Sequence, residues 1–209
     1  NTAVGRQALE ANTTGTENTA GGKDALKANT TASGVTAVGE AALMANTTGA
    51  SNTAVGEGAL TTNTTGTRNT ATGNAALNAA TTGDDNTGLG YFALVSATTA
   101  SDNTAVGSSA MENTTTGHSN VAVGFEVLKQ NTTGSENTAM GYQALDAATT
   151  ADNNVAIGRL AGTGLTTGGS NTIVGAAAMQ TNSTGVGNVA IGISALAVAQ
   201  GSDNVAVGR

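Results

Sequence analysis

The chain has 209 residues and a net charge of −7 with only seven Lys and Arg, and it contains two Phe, two Tyr and no Trp, Pro or Cys. So little basic charge excludes nucleic-acid and anionic-membrane partners, and no segment approaches the roughly twenty apolar residues of a membrane span. Without Cys there is no disulfide framework and no thiolate metal site.

Read in chain order, the sequence is one unit written thirteen times: N-T-A-V-G-x-x-A-L-x-x-N-T-T-G-x-x. Units begin at Asn1, Asn18, Val35, Asn52, Asn69, Asn86, Asn103, Asn120, Asn137, Asn154, Asn171, Asn188 and Asn204, and only the unit from Asn188 is one residue short. The whole of 1–209 is therefore a single repeat array. Seventeen residues are too few for the helix pairs of helical repeats, which need about thirty-four. Asn, Thr and Gly at fixed places favour turns over helices. The unit predicts one coil of an all-β parallel β-solenoid: a strand at positions 2–4, a glycine corner at 5, a second strand near 8–11, and a turn at N-T-T-G. About thirteen coils stacked at ~4.8 Å make a rod of roughly 60 Å. The absence of Pro suits a backbone paired along its length.

Several positions form ladders. Position 1 is Asn (Asn1, Asn18, Asn52, Asn69) in every unit but the one with Val35, and position 5 is Gly (Gly5, Gly22, Gly39, Gly56) in all thirteen. Position 4 carries Val4, Val38, Val55 and their equivalents, and position 9 carries Leu9, Leu26 and Leu43; both are expected to be buried. The Asn amides are expected to hydrogen-bond along the stack. The variable positions 6, 7, 10, 16 and 17, which hold the charges, are expected to face water.

Ala at 3 beside Val at 4, and Ala at 8 beside Leu at 9, put apolar side chains on both faces of each segment. A single solenoid has only one interior. Either a symmetric oligomer covers the second face, or a tight corner turns both residues inward.

N-T-A-V-G-x-x-A, together with N-V-A-V-G at 120–124 and N-V-A-I-G at 154–158 and 188–192, resembles the head repeats of trimeric autotransporter adhesins. Those repeats carry an S-V-A-I-G or S-T-A-V-G core in shorter units. The resemblance implies a left-handed parallel β-roll in a parallel homotrimer. The N-T-A-x-G-x-x-A-L…N-T-T-G spacing also resembles repeat arrays of phage tail-fibre-like and bacterial surface proteins, over the whole chain. Neither family supplies catalytic residues.

Candidate sites are few. Seven N-x-S/T sequons occur, at Asn12, Asn29, Asn46, Asn63, Asn113, Asn131 and Asn182; they are either glycan sites or turn chemistry, and sugars on consecutive rungs would crowd each other. Paired Thr at positions 13–14 are compatible with an ice-binding ladder. Asp84, Asp102, Asp152 and Asp203 read as solvated turn residues rather than calcium ligands. His118 is alone, and Gly21-Gly22-Lys23 lacks the spacing of a phosphate loop. Tyr91, Phe92, Phe125 and Tyr142 at positions 6 and 7 read as corner packing, or as a receptor or glycan patch.

No catalytic constellation and no cofactor site is found. The expected function is a structural or adhesive segment of an extracellular fibre, at a cell surface or on a virion. It would partner itself and possess, at most, a host-surface or glycan ligand; ice binding is the alternative. The array starts on a repeat and stops within one, so it is expected to be a window on a longer fibre.

Overall fold

The structure, a computed structural model, describes every residue except Ala199. Thirteen strands of three residues, from β1 (Thr2–Val4) to β13 (Val205–Val207), form one parallel sheet in chain order, with no α-helix among the described residues. The fold is a parallel β-solenoid. Each strand pairs with its counterpart one unit on, as Thr2 with Thr19 and Ala3 with Ala20. The short unit is absorbed outside the sheet, because Val189 still pairs with Val205.

Position 5 closes each strand with a glycine at φ near 135°, as at Gly39 and Gly56. A Cβ on Gly39 would lie 2.4 Å from the carbonyl oxygen of Gly56. Both the backbone conformation and the close approach of the next coil exclude a side chain there.

The second strand expected near 8–11 is replaced by a run of turns. Position 8 donates to the carbonyl of 5 and position 12 to that of 9, as in Ala8 to Gly5 (3.3 Å) and Asn12 to Leu9 (3.2 Å). Positions 7 and 9 both have φ near 55°, for example Gln7 (59°) and Leu9 (54°). A three-residue hydrogen bond closed over a positive φ at its third residue is a type II turn. The turn over 5–8 has this form, and a second, in which position 10 donates to position 7 across the positive φ at 9, overlaps it in several coils, as Lys27 N–H to Asp24 O and Met44 N–H to Ala41 O (both 3.3 Å). The remaining amides reach along the rod, as Leu9 N–H to Ala25 O (3.1 Å) and Ala11 N–H to Lys27 O (3.0 Å). Every rung is thereby tied to the next without a strand on this side.

The two apolar pairs resolve differently. At positions 8 and 9 the turns bring both side chains inward: Ala25, Leu26, Ala42 and Leu43 are fully buried. At positions 3 and 4 the strand alternates, so Ala37 and Ala54 are buried while Val38 and Val55 point out. The expectation that position 4 is buried is corrected here. Val4 is 69%, Val38 42% and Val55 38% exposed, because a three-residue strand presents its central residue to the interior and its ends to the outside. Leu9 is only partly buried, because it lies in the first coil.

Candidate functional surface

The side chains that repeat most strictly are mainly structural. In the position-1 file each Asn Oδ1 accepts the backbone N–H of its counterpart in the next coil, as from Asn69 to Asn52 and from Asn86 to Asn69 (2.9 and 3.0 Å). The same amide donates through Nδ2 to the carbonyl at position 15 of its own coil, as Asn69 to Gly83 O (2.8 Å). These amides are buried, and each pins the end of a coil to its beginning. At Val35 the file is interrupted, although Asn18 Oδ1 still accepts the Val35 N–H.

Position 12 forms a second buried file. Asn29 donates to Asn12 Oδ1 (2.8 Å), Asn46 to Asn29 (3.1 Å) and Asn63 to Asn46 (2.7 Å). The sequon residues Asn29, Asn46, Asn63, Asn131 and Asn182 are all buried. A glycan at any of them would require the coil to open, so their burial favours the turn-chemistry reading of these sequons. Asn12 is half-buried, and Asn113 lies at position 11, where its amide donates to Gln130 Oε1 (3.2 Å).

The two Thr of the T-T pair have different roles. Position-13 hydroxyls donate to the next coil's carbonyl, as Thr47 to Thr64 O and Thr64 to Thr81 O (both 3.0 Å). Position-14 side chains are exposed on eleven successive rungs, from Thr14 to Thr184, with no other residue type in the file. The turn Asp residues also serve the backbone: Asp84 accepts from Thr67 N–H (2.6 Å) and Asp152 from Ser135 N–H (2.7 Å). Among the described residues no group of three His, Asp or Glu is placed to hold a metal ion. No helix is long and apolar enough to cross a membrane. His118 stands exposed beside Ser119.

The aromatic residues share one corner. Tyr91 stacks on Phe92 (centroids 4.1 Å apart, planes at 17°) and Phe125 on Tyr142 (5.6 Å, 13°), while the Arg159 guanidinium lies 5.8 Å from the Tyr142 centroid. Tyr91, Phe125 and Tyr142 are exposed rather than packed inside the corner. Beside them lies a fixed polar group that the sequence alone did not single out. Lys129 Nζ donates to Glu126 Oε1 (2.6 Å) and Gln143 Nε2 to Glu126 Oε2 (2.7 Å). The Lys129 hydrogen bond holds the Glu126 carboxyl below the usual carboxylate range, and the same bond raises Lys129. Burial, reinforced by Glu126, pushes Asp146 up. Elsewhere Arg68 and Asp85 form a bidentate pair (2.7 Å), which lowers the exposed Asp85 carboxyl. The spacing of positions 7 and 10 across neighbouring coils was the available signal for the polar group.

No protein-family model matches the chain, and no curated protein or solved structure matches it either.

Proposed function

We propose that this segment is a non-enzymatic rod in an extracellular fibre, at a cell surface or on a virion, holding a binding tip or the next stretch of fibre at a set distance. In this reading the coil is left-handed and three copies run parallel about a common axis, as the resemblance to adhesin head repeats and tail-fibre arrays suggests. The observation that carries it is the outward file at position 4. Val38, Val55, Leu89, Met140, Ile157 and Ile191 are each more than a third exposed, and they follow one line along an unbroken stack. An apolar stripe of this length, interrupted only by Gly21 and Thr72, favours burial against another surface, and a cyclic assembly of identical rods covers it on every copy.

Sedimentation equilibrium tests this reading. The expected mass is three times the 20.0 kDa of one chain. Val106→Lys with Val123→Lys is expected to yield a folded monomer. A monomeric parent protein at ~10 µM, well above the range of a stable assembly, would remove the trimer from the proposal.

A second reading, ice binding, is favoured by the exposed file from Thr14 to Thr184. It predicts thermal hysteresis that disappears in Thr82→Lys with Thr99→Lys. Absence of hysteresis in the parent protein sinks it.

A further inference from the structure

A cavity of about 470 Å³ opens on the side of the rod, lined by Glu10, Ala11, Lys27, Ala28, Met44 and Ala45. These residues occupy positions 10 and 11 of coils 1 (1–17), 2 (18–34) and 3 (35–51), counted from the N-terminus. Alanine at position 11 in all three coils leaves the hollow. In coils 6 (86–102), 7 (103–119) and 8 (120–136) the same position carries Ser96, Asn113 and Gln130. This side of the rod is therefore recessed at one end of the stretch and filled at the other. Its residues at positions 10 and 11 are half-buried or exposed throughout.

Position 10 reads E-K-M-T-N-V-E-K from Glu10 to Lys129, in steps of seventeen residues. Set against a reversed copy of itself, every member of this file meets its complement. Glu10 faces Lys129, and Lys27 faces Glu112. Met44 faces Val95, and Thr61 faces Asn78. A twofold axis across the rod, between coils 4 and 5, repeats each pair with the copies exchanged, as an isologous contact requires. The same axis sets Ala11 against Gln130, Ala28 against Asn113 and Ala45 against Ser96. The longer side chains of one copy thereby enter the cavity of the other. Position 7 adds no like-charge pair, since Gln7 faces Glu126 and Asp24 faces Ser109.

We infer that positions 10 and 11 of coils 1–8 dock a second copy of this chain running in the opposite direction. Neighbouring arrangements are penalised. A slip of one rung brings Lys27 onto Lys129 and Glu10 onto Asp146; a slip the other way brings Glu10 onto Glu112. Two copies side by side in parallel oppose every charge to its own duplicate. Like charges set against each other suppress a wrong pairing, so the charges select both direction and register. Eight rungs make a strip of ~38 Å, narrow enough to rank among the smaller interfaces, and its exposed charge pairs weaken with salt. The contact uses no residue of the position-4 file, goes beyond the rod reading and does not rest on the trimer.

The chain has no Cys, so a short bis-maleimide joins only introduced cysteines. Ala28→Cys and Asn113→Cys are placed in separate full chains, which are mixed at ~0.1 mM. In the inferred pair these two sites lie opposite each other, whereas two copies of site 28 stand five rungs, ~24 Å, apart. The mixture is expected to cross-link at least about fivefold more than either chain alone, with a yield that falls as salt is raised. Lys27→Glu on the Ala28→Cys chain opposes two acids and is expected to lower the yield at least about threefold. Glu112→Lys on the other chain is expected to restore it, which also shows that the altered chain is folded. Equal yields from the three combinations overturn the inference, as does an excess from Ala28→Cys alone. So does a yield indifferent to Lys27→Glu, a loss that Glu112→Lys does not restore, or no mixed product up to ~1 mM. The cross-linked partner reads direction rather than the number of rods, so failure here leaves the sedimentation test untouched, and a monomeric parent leaves this test untouched.

Discussion

Asn63 and Asn131 end their files on a buried amide oxygen with no hydrogen-bond partner, because the next coils carry Ala80 and Ala148 at position 12. An unpaired buried acceptor costs about 1–3 kcal/mol. Ala80→Asn alone passes the unpaired oxygen one rung on and is expected to leave stability nearly unchanged. Ala80→Asn with Ala97→Asn carries the file to Thr114, whose hydroxyl can donate to the last oxygen. Chemical denaturation is expected to show a gain of about 1–3 kcal/mol for the pair, well above the sum of the singles. A second residue-scale effect concerns Asp146. Its folded pKa is raised above the ordinary 3.8, mainly by burial. The stability linked to its proton is therefore present below pH 3.8 and is lost as pH climbs through the raised value. Asp146→Asn is expected to melt higher than the parent at pH 7 and together with it below pH 3.8. A variant that melts lower at pH 7 would contradict the burial effect.

At the level of the coil, the strand at positions 2–4 and the corner at Gly5 were legible in the sequence. A short T-A-V segment, the turn residues around it and an invariant glycine all pointed the same way. The segment 8–11 was not. Leu26 and Leu43 occupy left-handed backbone at φ near 50°, which costs a non-glycine residue ~1–2 kcal/mol, and nothing in an A-L dipeptide announces it. The burial of that leucine between rungs offsets the strain. The files themselves could be listed from sequence, but which side of the strand each faced could not, since Ala and Val are both apolar. Position 7 bears the same strain without burying a large side chain, and Gly58 already relieves it in one coil. Ala75→Gly, at φ 54°, is expected to stabilise by about 0.5–1 kcal/mol after the flexibility gained by the unfolded chain is deducted. Ala76→Gly, one residue on and buried, is expected to destabilise. Coil 10 carries a compensation of another kind. Gly162 replaces the position-9 leucine, and a Cβ there would meet Ile173 Cδ1 at 2.9 Å and Leu145 Cδ2 at 2.8 Å. Ile173, at position 3 of the next coil, fills the vacated volume. Gly162→Leu is expected to cost about 1–3 kcal/mol by overpacking, and adding Ile173→Ala is expected to recover most of it; purely additive losses would refute the exchange.

Over the whole molecule, the repeat made the architecture legible, because a fixed period with Gly5 to Gly208 in step admits little besides a stack of coils. The aromatic corner was visible as residues but not as a surface, since its exposure follows from the turns at 6–9. The polar group beside it depends on neighbours seventeen residues apart and emerged only with the coils stacked. That stacking also has a mechanical consequence. The hydrogen bonds between coils, such as Thr53 N–H to Asn69 O and Thr70 N–H to Asn86 O (both 2.8 Å), point along the rod, so a pull on its two ends loads them in tension, one rung after another. A coil that lets go converts ~4.8 Å of rod into some 55–60 Å of extended chain. Stretching single molecules is expected to give a train of small, evenly spaced releases rather than one large rupture. The rod would then yield under load by lengthening more than tenfold per lost coil, damping a sudden tug while the coils still closed keep their shape.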